Sequence, residues 1–141
     1  MIAFIAIENE FDKEVNEEIP LFIYMYGHGT DDGRFVVLGY DEVLEANQLD
    51  HAIGEIQNKT GCVVILILES CYSGKFIETV SGNKRIILTS TGDSLYKHDD
   101  SGDLTFSRLL FRQLIQNLSI KYSFDFTKNK MTLISYNPPL L

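Results

Sequence analysis

Three short apolar runs constrain this chain more than any other feature: Leu21–Tyr26, Val63–Leu68 and Arg85–Thr89. Each is continuous rather than alternating, and the last two are rich in Val and Ile. A strand with one wet face alternates, whereas a strand buried on both faces does not. Runs of this kind therefore predict a parallel sheet covered by helices on both sides. The intervening segments agree. In "LEANQLDHAIGEIQNKTG", Leu49, Ala52, Ile53 and Ile56 fall at i, i+3, i+4, i+7, a helical stripe that Gly61 would stop. In "GDLTFSRLLFRQLIQN", Phe106, Leu109, Leu110 and Leu114 form an apolar face, with Asp103 or Thr105 as cap. Strand, helix, strand, strand, helix reads as an α/β fold with a mostly parallel sheet.

The remaining segments say less. "DDGRFVVLGY" fits a turn at Asp32-Gly33 followed by a short strand. Phe4, Ile7, Phe11 and Val15 suggest an amphipathic N-terminal helix, and the tail is read as a hairpin around Lys128–Lys130. With no repeat, low-complexity tract or linker, residues 1–141 read as one domain.

Charge and composition exclude several classes. The formal charge is −8 and the 12 Lys and Arg never cluster, which argues against a binder of nucleic-acid backbone. No apolar run approaches the ~20 residues of a membrane span. The start lacks the basic region of a secretion signal, so a cytoplasmic location is the expectation. Cys62 and Cys71 sit at opposite ends of one strand, nine residues apart. At ~3.3 Å per residue they cannot bridge, and both read as free thiols.

The chemistry gathers at the strand ends. In an open parallel sheet, ligands collect in the crevice beyond the carboxyl ends of the strands. His28 lies just past the first strand, Cys71 just past the second, and Ser90 and Thr91 end the third. Adjacent parallel strands lie ~4.8 Å apart, so His28 and Cys71 can share a crevice despite their distance in sequence. A Cys–His pair there suits nucleophilic acyl transfer: the imidazole helps form the thiolate and later protonates the leaving amine. Gly27 and Gly29 would let the backbone beside the histidine turn and approach a substrate. The N–H groups of Gly29 and Cys71 are candidates for an oxyanion hole. Gly74 would permit a tight turn into a helix whose N-terminus favours a thiolate at Cys71.

These residues carry a resemblance. "YGHG" followed by "ILESCYSG" resembles the His-Gly and Glu-x-Cys-x-Ser-Gly motifs of legumain-like cysteine peptidases, in the caspase–legumain superfamily. "STGDSLY" and "GDLTFS" resemble two further segments of that family, and the likeness runs from about Leu21 to Leu118. The resemblance implies a caspase-hemoglobinase three-layer sandwich. It also implies a cysteine endopeptidase with Cys71 as nucleophile, His28 as general base and acid, and no cofactor or metal. Glu69 and Asp103 would lie at the bottom of the pocket for the residue before the scissile bond, with Ser90 and Ser94 beside them. Relatives of this kind cut after Asn or Asp; more distant metacaspase-like ones cut after Arg or Lys.

Two departures stand out. Aligned on Tyr96, Leu95 falls where a pocket serine is expected, with Ser94 next to it. The superfamily also places a strand and helix before the histidine strand, but only about twenty residues precede Leu21 here, and they read as the helix. The expectation is therefore a domain lacking its first strand, as a fragment of a longer protein or a self-associating chain.

Each sharp reading has a plainer one. A cysteine ending a buried strand is more often inert filler, which is the reading for Cys62. Cys71, with its histidine and glycines, is read as catalytic. His51 and His98 read as structural. Glu69 is a polar strand end or a substrate contact, and Asp103 a helix cap, a substrate contact or both. Asp99, Asp100 and Asp103 raise calcium binding, but their spacing matches no loop motif and a solvated loop is preferred. The rival functions are a transpeptidase or transamidase sharing the thioester chemistry, and a non-catalytic caspase-like module that binds partners.

Overall fold

A computed structural model describes residues 13–37, 42–96 and 104–132. The three apolar runs form one parallel sheet: β1 (Leu21–Tyr26), β5 (Val64–Glu69) and β6 (Arg85–Thr89), in the order β1-β5-β6. Its register pairs Tyr26 with Glu69 and Leu68 with Thr89, so the three carboxyl ends lie along one edge. The central strand is buried at all six positions, which explains its unbroken hydrophobicity. It runs one residue further than the sequence suggests, taking in Glu69.

A second, antiparallel sheet joins β2 (His28–Gly29), β3 (Arg34–Val37) and β4 (Glu42–Glu45). The turn before β3 forms as expected: the Gly33 N–H donates to the Thr30 carbonyl at 3.0 Å, and Gly33 takes φ +83°, which glycine adopts without strain. The strands β2 and β4 are too short for a periodicity signal.

Helices cover both faces of the central strand, but β1, expected to be buried on both faces, alternates instead: Phe22, Tyr24 and Tyr26 are exposed on one side of it. Helix α1 (Ala46–Thr60) buries Leu49, Ala52, Ile53 and Ile56, begins with a Glu45–Gln48 capping box and stops at Gly61, φ +70°. It packs with Val64, Leu66, Leu68 and Ile87 on one face of the sheet. On the other face, α3 (Phe106–Leu114) and α4 (Ile120–Thr132) enclose Ile65, Ile67 and Leu88 with Phe106, Leu110 and Phe124. The α3 cap is Thr105, whose hydroxyl accepts from the Arg108 N–H at 3.3 Å. Each of these fully buried aliphatic or aromatic side chains contributes roughly 1.5–3 kcal/mol of burial.

Helix α4 corrects the hairpin expected around Lys128–Lys130. Ser123, Phe124, Thr127 and Met131 are its buried residues, a helical spacing. Phe124 meets Phe106 edge-on at 6.3 Å, and the Ser119 hydroxyl accepts from the Tyr122 N–H at the helix start. Docking on α3 goes with the helical state. At the other end, Phe4, Ile7 and Phe11 lie outside the described residues, as does any first strand. Val15 is buried in irregular chain rather than in a helix. Among the described residues, no helix is long and apolar enough to cross a membrane.

Candidate active site

The register of the parallel sheet brings together the two chain segments that carry the expected reacting groups. Tyr26 and Glu69 are direct partners, and His28 and Cys71 each stand two residues beyond them. The connection between these ends is close-packed. The Gly27 N–H donates to the Glu69 carbonyl at 3.2 Å, and a Cβ at Gly29 would collide with the Cys71 carbonyl oxygen. Gly27 is hemmed in as well, with the Phe35 ring 2.9 Å from where its Cβ would stand. Neither glycine has a positive φ. Their lack of a side chain brings the histidine strand onto the cysteine loop. His28 is exposed and Cys71 half-buried, so both are open to solvent, whereas Cys62 is fully buried.

The loop after Cys71 departs from the sequence expectation. It enters a 3-10 turn, Ser73–Phe76, and then a single helical turn, α2 (Ile77–Val80). So short an element carries little macrodipole, and the thiolate gains less from it than a long helix would supply. The left-handed residue in this turn is Tyr72, φ 54°, not Gly74. Gly74 instead allows contact with the next loop: its Cβ would stand 2.8 Å from the Gly92 Cα, and its N–H donates to the Gly92 carbonyl.

Beneath Cys71 lies a set of buried hydroxyls that the sequence did not single out as a group. The Ser90 hydroxyl accepts from the Ser70 N–H at 3.1 Å and donates to the Ser70 carbonyl at 3.2 Å. The Ser73 hydroxyl accepts from the Thr91 N–H, and the Thr91 hydroxyl donates to the Ser70 carbonyl. Ser70, Ser73, Ser90 and Thr91 are all essentially inaccessible. They fasten the end of β5 to the end of β6, so Ser90 serves the main chain here. A run of Ser and Thr at two strand ends is the signal that could have revealed this.

Glu69 is completely buried, with both carboxylate oxygens taken. The Tyr24 O–H donates to Oε2 at 2.8 Å and the Tyr96 O–H to Oε1 at 2.6 Å. Tyr96 also accepts from the Phe106 N–H at 2.7 Å, the first residue of α3. Its own N–H reaches the Cys71 Sγ at 3.2 Å. Burial pushes the Tyr24 hydroxyl up to about 12; a hydrogen bond to Ser107 works against this and the Glu69 charge adds to it. Burial raises Tyr96 too, with Glu69 again adding. Neither tyrosine was anticipated. Tyr24 looked like one more apolar strand residue, although the Phe22, Tyr24, Tyr26 alternation marks one face.

Ser94 stands beside this network, with its hydroxyl buried and unpartnered. Its carbonyl accepts from the Tyr72 N–H at 2.7 Å, which ties it to the cysteine loop. Leu95 is exposed. Asp103, Asp99, Asp100 and His98 lie outside the described residues. Among the described residues no group of three or more His, Cys, Asp or Glu could hold a metal.

A parallel sheet flanked by helices, with Cys71 and His28 just past adjacent strand ends, is an α/β architecture consistent with the caspase-hemoglobinase fold. The model of the Peptidase C13 family matches residues 12–131, and the chain belongs to that family of legumain-type cysteine peptidases. A comparison with curated proteins gave no match.

Proposed function

We propose that this cysteine peptidase uses Cys71 as nucleophile and His28 as general base and acid, on peptide or protein substrates. The observation that carries the reading is the juxtaposition of the two strand ends, with Gly29 packed on the Cys71 main chain. In this reading the Cys71 thiolate attacks the scissile carbonyl carbon, and the N–H groups of Gly29 and Cys71 receive the developing oxyanion. The C–N bond then breaks, and the amine leaves with a proton from the His28 imidazolium. A thioester on Cys71 remains, which water activated by the neutral imidazole resolves.

Preference for a polar or charged residue before the scissile bond, Asn or Asp on one side and Arg or Lys on the other, is assigned to the floor of the crevice. Glu69 contributes its charge there through Tyr24 and Tyr96, since both its oxygens are engaged. The Ser94 hydroxyl, buried and unpartnered, belongs to the same floor, with Ser90 beneath and Asp103 as a further acid. Among the described residues β1 pairs on one side only, which supports self-association or a place in a larger protein.

A peptide electrophile tests the reading. It should label Cys71 and leave Cys62 untouched, and His28→Ala should slow that labelling. Labelling of neither thiol, together with no peptide cleavage, would favour the non-catalytic binding module. Product analysis with an added amine separates hydrolysis from transpeptidation: capture of the acyl group by amine in preference to water would identify a transferase.

A further inference from the structure

We propose that Tyr96 is a positioning residue for the Cys71 thiolate: its main-chain N–H holds the sulfur, and the buried Glu69 carboxylate holds Tyr96. The inference rests on Cys71 being the reacting thiol.

The geometry forms a closed circuit. The Tyr96 N–H lies 3.2 Å from the Cys71 Sγ, and its hydroxyl lies 2.6 Å from Glu69 Oε1, two residues before that cysteine. Side chain and main chain of one residue thus grip both ends of the Glu69-Ser70-Cys71 turn. The hydroxyl is fixed a second time by the Phe106 N–H at the start of α3. Tyr24 supplies the matching bond to Glu69 Oε2, so the carboxylate cannot swing away. Tyr24 is in turn packed edge-on against Phe111 of α3 at 5.4 Å. Sheet, α3 and the loop between β6 and α3 therefore converge on the position of one amide.

An N–H aimed at sulfur binds the thiolate more strongly than the thiol, because a hydrogen bond to the charged form favours ionisation. This matters here because, beside the His28 imidazole of the proposed pair, the other sources of thiolate stabilisation are weak or opposed. The helical element after Cys71 is one 3-10 turn and one α turn. The titratable groups on the surrounding elements are His28 after β1, Tyr24 on β1 and Glu69 on β5. Tyr72 and Lys75 follow Cys71, and Asp93 and Tyr96 lie in the loop after β6. Glu69 and Asp93 as anions disfavour a second negative charge, while Lys75 is already paired with Asp93 at 3.1 Å. Spreading the Glu69 charge over two hydroxyls lessens its opposition, and the Tyr96 amide supplies a fixed donor. When sulfur bonds to the carbonyl carbon it loses its charge, so the amide acts on the resting thiolate population.

Heteronuclear NMR on the unmutated protein tests this directly. The Tyr96 amide resonance should titrate with the same midpoint as Cys71 alkylation by iodoacetamide, and Cys71→Ala should remove that inflection. Tyr96→Phe deletes the hydroxyl while keeping the amide, loosens the grip, and should raise the alkylation midpoint by about one pH unit. Tyr24→Phe should raise it by less. A Tyr96 amide that shows no inflection at the thiol midpoint overturns the proposal, as does a folded Tyr96→Phe protein with an unchanged midpoint. If that variant fails to fold, the amide titration decides alone. Peptide turnover keeps the two readings apart. A coupled titration without peptide cleavage supports the thiolate contact while sinking the peptidase reading; Cys71-dependent cleavage without the inflection overturns this proposal only.

Discussion

Gly29 presses against the main chain of Cys71 so closely that any side chain at position 29 would occupy the space of the Cys71 carbonyl oxygen. The relationship joins the loop after one strand to the loop after its neighbour, and it rests on an absent Cβ. Gly29→Ala should cost about 1–3 kcal/mol of stability through overpacking. If the loops part to relieve the clash, a displacement of the order of 1 Å should lower turnover about 100-fold. Denaturant unfolding and peptide hydrolysis on the same samples check this, and unchanged values in both would mean the loops are not in contact.

Cys71→Ala should abolish peptide cleavage, with residual activity below roughly a thousandth of the parent. The residue is half-buried at a strand end, so stability should change by no more than about 1 kcal/mol. Retained turnover in this variant would remove Cys71 from the nucleophile role.

His28→Ala addresses the pair. With the imidazole present as general base, Cys71 should be alkylated faster at neutral pH in the parent than in the variant, read from alkylation time-course profiles. Superimposable profiles would show that the two groups do not interact.

Alkaline pH probes Tyr24. Its folded-state value is raised from 10.0 to about 12, chiefly by burial. A group raised on folding contributes stability that is fully present below its unfolded value and disappears as pH climbs through the folded one. Stability should therefore decline between pH 10 and about 12, and Tyr24→Phe should flatten that decline. Equal slopes for the two proteins in denaturant titrations would contradict the assignment.

Among the described residues β1 pairs on one side only, with β5. Phe22, Tyr24 and Tyr26 are 51%, 45% and 62% exposed along it. An edge of this kind invites pairing with another chain. Sedimentation at micromolar concentration should show dimers or larger species, reduced by Phe22→Lys. A strictly monomeric, fully active protein would show that the edge is covered within the chain.

Local sequence was sufficient for whatever depends on one segment at a time. The apolar run of β5 shows its burial directly, since a strand covered on both faces has no polar alternation to display; the equally apolar run of β1 does not, because Phe22, Tyr24 and Tyr26 are exposed on one face. The α1 stripe ending at Gly61 and the Thr105 cap are likewise short-range patterns. They also placed His28 and Cys71 at strand ends, where chemistry collects in a parallel sheet. The contacts across the site were not legible in this way. Tyr24 and Glu69 are 45 residues apart, Tyr96 and Glu69 27; which hydroxyl meets which oxygen depends on strand order, register and the docking of α3. The tail followed the same rule: its aromatic residues suit strand or helix, and the Phe124 contact with Phe106 settles the matter. Periodicity reports which faces a segment must bury. It does not report which partner will cover them, and in this protein those partners hold the thiol in place.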